Sequence, residues 1–146
     1  GATGIAMGNN AYTTGAGSVS GIINISGGTF TLTTGDITRP GTGTQTTTAA
    51  INLSGGTLSM ANRSIGSATG LIALNLTGGT LQNLAELNGG GVLTKTGAGT
   101  ATIAGTNAYT GATTVATGTL AVTGNIVSAP TVQTGATLTL SDLLFV

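Results

Sequence analysis

Apolar and polar residues alternate with a period of two in three separate blocks of the chain. Ile23, Ile25, Phe30 and Leu32 share one phase, Ile51, Leu53, Leu58 and Met60 repeat it, and Leu74, Leu76 and Leu81 carry it a third time. Alternation of this kind, rich in β-branched residues, is the signal of a half-buried strand. Each block contains a glycine pair, Gly27-Gly28, Gly55-Gly56 or Gly78-Gly79, which splits it into two strands of about three to five residues. Glycine tolerates positive φ, so these pairs are expected to be corners where the chain changes faces. Thr and Gly are poor helix formers, and no three-four spacing of apolar residues is sustained.

The three blocks are one octet written three times: Ile23-Asn24-Ile25-Ser26-Gly27-Gly28-Thr29-Phe30, then Ile51 to Leu58, then Leu74 to Leu81. Gly28 and Gly56 are 28 positions apart, Gly56 and Gly79 only 23. A unit of that length cannot bury its apolar side alone and must stack on its neighbours. The expected fold is therefore all-β, a parallel β-helix (β-solenoid) of about five or six coils at ~4.8 Å spacing, forming one domain over residues 1–146. The extra length of the first interval is assigned to a loop insertion at 35–50, a Thr-rich stretch containing Pro40. After Leu81 the signal is less regular, at Gly91-Val92-Leu93, Gly118-Thr119-Leu120 and Gly135-Ala136-Thr137-Leu138. Leu81 to Leu93 is too short for a full turn, which places them on different faces and leaves the later register open. An antiparallel sandwich also has closely spaced strands, but it does not account for the long-range repeat, and Asn88-Gly89 is the only Asn-Gly hairpin signal.

Parity then assigns directions. Asn24, Asn52 and Asn75 sit between two inward residues, so they should point outward one above another as an amide ladder. Thr29, Thr57 and Thr80, with Thr119 and Thr137 placed in the same slot, should form an outward Thr row. The neighbouring outward row would run Thr31, Ser59, Gln82, Thr94, Ala121, Thr139. Flat Thr arrays can order water and bind ice, but this second row is mixed, and the β propensity of Thr accounts for an outward row by itself.

Composition narrows the functional classes. The 146 residues include only Arg39, Arg63 and Lys95 against Asp36, Glu86 and Asp142, with no Cys and no His. Three scattered cations argue against nucleic acid, which needs several phosphate contacts. Without Cys or His there are no disulfides, no thiolate metal site and no familiar catalytic triad. The three carboxylates lie in no motif, whereas paired acid/base chemistry needs two carboxyl groups about 5–10 Å apart. Asp36 is expected to pair with Arg39 at the surface or to shape a turn. No apolar run approaches the roughly 20 residues of a membrane-crossing helix. The expectation is no catalytic residue, no cofactor and no metal. Lys95 is read as an exposed charge on a strand that discourages wrong pairing. Tyr12 and Tyr109 are read as corner residues whose rings pack while the hydroxyls reach backbone or water.

Residues 88–125 read NGGGVLTKTGAGTATIAGTNAYTGATTVATGTLAVTGN. Through Gly91, Leu93, Lys95, Gly97, Gly99, Thr100, Ile103, Gly105, Asn107, Tyr109, Gly111, Thr113, Val115, Gly118, Leu120 and Gly124, this segment resembles the autotransporter-associated β-strand repeat. An echo of it stands at Gly8-Asn9-Asn10-Ala11-Tyr12-Thr13. The resemblance implies a right-handed β-helix in the passenger of a Gram-negative surface protein, with a part in passenger folding during export. No segment resembles the tilted strands and aromatic girdles of a translocator barrel.

The expected function is a non-enzymatic structural solenoid of an extracellular or cell-surface protein, acting as a stiff rod. The apolar end Leu143-Leu144-Phe145-Val146 and the lack of a polar cap point to two partners. One is flanking coils of a longer chain; the other is a second copy stacked head-to-tail into a filament. Very low charge opposes such association little. The alternatives are an adhesin-type module binding glycan or host protein, and the Thr-rich ice binder.

Overall fold

The computed structural model describes residues 4–9, 14, 17–41 and 43–141. Tyr12 and most of its echo motif, Asp142 and the apolar end 143–146 lie outside these residues. The strands in chain order are β1 (Ile5–Ala6), β2 (Ser18–Thr31), β3 (Ile37–Thr38), β4 (Thr46–Ile65), β5 (Ala73–Leu76) and β6 (Gly79–Leu87). They continue as β7 (Leu93–Lys95), β8 (Thr100–Ala104), β9 (Thr113–Val115), β10 (Thr119–Val122), β11 (Thr131–Val132) and β12 (Thr137–Leu140). There is no helix among the described residues, and every pairing between these strands is parallel. The chain is a parallel β-solenoid.

β2 and β4 run on through their glycine pairs rather than splitting there, because the coil below keeps them paired past the corner. The strands of two to five residues have too little local stabilisation to stand alone and are likewise defined by their neighbours. Three faces result. On the first, Ile25 pairs Leu53, Leu53 pairs Leu76, Leu76 pairs Lys95, Lys95 pairs Val115 and Val115 pairs Val132. On the second, Phe30, Leu58, Leu81, Ile103, Val122 and Leu140 stack in the same way. On the third, Ile5, Ile37, Ile65 and Leu87 stack. Among the described residues the first two faces therefore hold six coils. The octet's apolar phase points inward. Ile51, Leu53, Leu58, Met60, Leu76 and Leu81 are fully buried, while Ile23, Phe30 and Leu74 are partly buried against the same core.

The coils shorten along the chain. Measured between the paired residues of the first face, successive offsets are 28, 23, 19, 20 and 17 residues. This is why the octet disappears from the sequence after Leu81 although the stacking continues. Leu81 lies on the second face and Leu93 on the first, as their short separation requires.

Corners follow the glycine pairs. Ladder register breaks between Ile25 and Ser26 and again between Ser26 and Thr29. The second glycine of each pair is left-handed, with φ of 66° at Gly28, 65° at Gly56 and 71° at Gly79. Stacking adds a second constraint, because a Cβ built on Gly56 would lie 2.5 Å from both the Gly27 carbonyl carbon and the Gly28 oxygen of the coil before it.

Three other sequence expectations change. The stretch 35–50 is not one loop: Ile37–Thr38 forms β3 and Thr46–Ala50 already belongs to β4, which leaves a connector of only 39–45. The Thr row of the second face runs Thr29, Thr57, Thr80, Thr102, Ala121, Thr139. Thr119 and Thr137 stand two positions earlier, in a row with Thr100. A slip of two residues preserves parity, so alternation alone cannot detect it. Thr94 lies on the first face beside Thr114, not in the second-face row.

Candidate functional site: staples between coils

The side chains with the most polar contacts join one coil to the next. On the outer side of the first face, Asn52 Nδ2 donates to Asn24 Oδ1 at 2.7 Å and Asn75 Nδ2 donates to Asn52 Oδ1 at 2.6 Å. An amide donates and accepts at once, so identical residues at strand spacing form a polar chain along the stack. Thr29, Thr57 and Thr80 lie in register on the second face, where the adjacent row is Thr31, Ser59, Gln82, Ala104.

Lys95 is fully buried, contrary to its reading as an exposed strand charge. Its slot is an inward one, between Leu76 and Val115. The aliphatic stem occupies the core position, while Nζ reaches the corner and donates to Thr96 O at 2.6 Å, Gly97 O at 2.8 Å and Thr117 O at 3.2 Å. Three carbonyls satisfy the three ammonium protons and tie the fourth coil to the fifth. Desolvation by burial pushes the Lys95 pKa below its ordinary 10.5.

Tyr109 is also fully buried, with its hydroxyl 2.8 Å from Thr113 Oγ1. Thr113 pairs with Leu93 and takes an inward slot, so a hydroxyl stands where earlier coils carry a methyl group. Burial raises the Tyr109 pKa above 10.0, and the bond to Thr113 partly offsets this.

Asparagines at the next corner give their side chains to the backbone of adjacent coils. Asn83 Oδ1 accepts from Thr106 N at 3.0 Å. Buried Asn107 accepts from Leu84 N at 3.0 Å and donates through Nδ2 to Ala104 O and Asn125 O. Asn125 Oδ1 in turn accepts from Asn107 N at 3.2 Å. One buried amide thus spans three coils, supplying partners where parallel strand pairing stops at the bend. The sequence reading marked Asn107 as a motif residue and passed over Asn83 and Asn125. No shared motif marks them: Asn83 stands two positions after the inward Leu81, Asn107 four after Ile103 and Asn125 three after Val122.

Glu86 serves the same purpose on the third and fourth coils. Its carboxylate accepts from Thr110 Oγ1 at 2.7 Å, from Thr110 N at 3.1 Å and from Leu87 N at 2.8 Å. Desolvation raises the Glu86 pKa, but these hydrogen bonds outweigh it and hold the carboxyl below its ordinary 4.5. Asp36 does not pair with Arg39. Its Oδ1 accepts from Ser64 N at 2.8 Å, while Arg39 donates to Leu71 O at 3.0 Å and Thr69 O at 3.2 Å, anchoring the next connector.

Lys95, Asn107, Tyr109, Gly111, Thr113 and Gly118 all fall in the span from β7 to β10; Lys95, Asn107 and the two glycines meet a neighbouring coil, while Tyr109 bonds Thr113 around a corner. A Cβ on Gly111 would run into the Gly91 carbonyl, and one on Gly118 into the Gly97 carbonyl. Residues 93–122 match the family model of the passenger-associated-transport-repeat. Neither the curated proteins nor the solved structures hold a match to the chain. The passenger-associated-transport-repeat segment runs from the first residue of β7 to the last of β10. The matched residues include the buried Lys95, Asn107 and Thr113 and the close-contact Gly111 and Gly118.

Elsewhere, an open groove of about 450 Å³ is lined by Arg39, Thr48, Ala49, Leu71, Ile72 and Asn88 among others, with Arg39 the one charged side chain on its wall among the described residues. No group of three or more Asp and Glu side chains comes together among the described residues. No helix among them is long and apolar enough to cross a membrane.

Proposed function

We propose that this chain is a non-enzymatic structural segment of a secreted or cell-surface passenger of a Gram-negative bacterium, in which stacked coils form a stiff rod. The observation that supports it best is the coincidence of the passenger-associated-transport-repeat match with the inter-coil staples. In that segment the buried Lys95 and Asn107 bond to the backbone of adjacent coils. Asp36, Glu86, Arg39 and Lys95 each bond to backbone in structural positions, which favours a mechanical role over catalysis.

The rod is proposed to continue axially. In the sixth coil the inward-phase Val132 and Leu140 are 40% and 45% exposed, although they sit below the buried Val115 and Val122. A following coil would cover them, supplied either by a longer chain or by a second copy in head-to-tail contact. Electron microscopy of the purified chain tests the filament form. Uniform filaments with an axial repeat of about six coils at ~4.8 Å per coil are the expected result. Discrete particles at high concentration would remove self-stacking and leave the rod within a longer chain. A rod role itself fails if proteolysis or hydrogen exchange shows residues 93–122 opening more readily than the connector 39–45.

A further inference from the structure

Asn88-Gly89 combines a reactive sequence with an unusual restraint. Among the described residues the Gly89 N–H has no hydrogen-bond partner, whereas Gly90 N and Gly91 N both donate to Leu87 O. A glycine amide has no side chain to obstruct attack on the preceding carboxamide. In that reaction the Gly89 nitrogen bonds to Asn88 Cγ and loses its proton. The Cγ–Nδ2 bond breaks, and ammonia leaves. Water then opens the five-membered imide, giving either an aspartate or an isoaspartate linkage at position 88.

The fold holds the carboxamide elsewhere. Asn88 Oδ1 accepts from Ile72 N at 2.9 Å, and Nδ2 donates to Ile72 O at 2.9 Å. Both backbone groups of one residue are thus bound by one amide, as a neighbouring strand would bind them. Asn88 itself has φ of 51°, and a Cβ on Gly66 (φ 68°) would run into Asn88 Oδ1, so the side chain is held between two segments of the adjacent connector.

We propose that Asn88-Gly89 is a site of spontaneous deamidation that stacking of the third coil on the second holds closed. The products cannot restore the clamp. An ionised carboxylate has no donor for Ile72 O, and an isoaspartate linkage adds a backbone methylene between Leu87 and Leu93, whose places on the third and first faces set the register. Chains whose third coil opens are therefore marked covalently and do not recover the native stack.

The test incubates the purified chain at mildly alkaline pH, in buffer and in urea, and follows ammonia release and isoaspartate at position 88 by peptide mass spectrometry. Gly66→Ala serves as a variant that displaces the amide, and Gly89→Ala as one that slows the chemistry itself. The expected result is a rate at least about tenfold lower in buffer than in urea, equivalent to ~1.4 kcal/mol of protection. Gly66→Ala should raise the rate in buffer towards the urea value, and Gly89→Ala should lower the rate in urea. Equal rates in buffer and urea for the unaltered chain would overturn the gating. Absence of isoaspartate at position 88 in urea would overturn the site.

Discussion

Alanine substitution at Gly28 and at Gly56 separates two reasons for a corner glycine. The two residues have nearly the same φ, 66° and 65°, so the cost of placing a Cβ in the left-handed region is common to both. That cost is about 1–2 kcal/mol. It is offset in each by the ~0.4–1 kcal/mol that alanine gains through a less flexible unfolded chain. Their surroundings differ. Among the described residues nothing lies within 4 Å of a Cβ at Gly28, whereas one at Gly56 lies 2.5 Å from two backbone atoms of the preceding coil. Backbone at strand spacing has little room to retreat, and overpacking of this kind costs about 1–3 kcal/mol. Gly28→Ala should therefore cost about 1 kcal/mol and Gly56→Ala about 2–4 kcal/mol. Gly79→Ala, with a closest contact of 2.8 Å, should fall between them. Urea unfolding followed by circular dichroism, with the slope m checked for constancy, measures the difference. Equal losses at Gly28 and Gly56 would show that φ alone selects these glycines and would refute the stacking constraint.

Other expectations follow from the staples. Asn52→Ala breaks two amide bonds and should cost about 1–2 kcal/mol, whereas Asn24→Ala breaks one and should cost about half as much in the same assay. Lys95→Met keeps the buried stem and loses only the charged hydrogen bonds, for about 1–2 kcal/mol; Lys95→Ala adds a cavity and should cost about 2–4 kcal/mol. Glu86 has a lowered folded pKa, so its contribution is full above 4.5 and is lost as pH falls through the folded value. Because the group is partly exposed, the loss should stay within about 1 kcal/mol, and Glu86→Gln should flatten stability measured against pH in that range. Tyr109 has a raised folded pKa, so its contribution is full below 10.0 and fades as pH rises through the folded value; Tyr109→Phe should abolish that alkaline slope.

Much of this arrangement was legible along the chain, and what was not has identifiable causes. The octet and its glycine pairs carry both the inward phase and the corners, because parity and positive φ are local properties. Lys95 was misread because residue type was weighed above parity. Two positions after the inward Leu93 the slot had to be inward, and only a corner with three accepting carbonyls makes a lysine acceptable there. The groove at Arg39 and the clamp from Asn88 to Ile72 left no local trace, since their partners come from other coils.

Alternation and repetition in the sequence alone determined that the chain is all-β, that it stacks, and which side chains of its octets face inward. Tertiary structure alone decided the later register. Coils that shorten from 28 to 17 residues keep their strands in line by changing corner length, and a shift of two residues leaves every side chain on its original face. It also decided which polar residues are staples, because partners such as Thr117 O for Lys95, Leu84 N and Asn125 O for Asn107, and Thr110 N for Glu86 belong to the coil above or below.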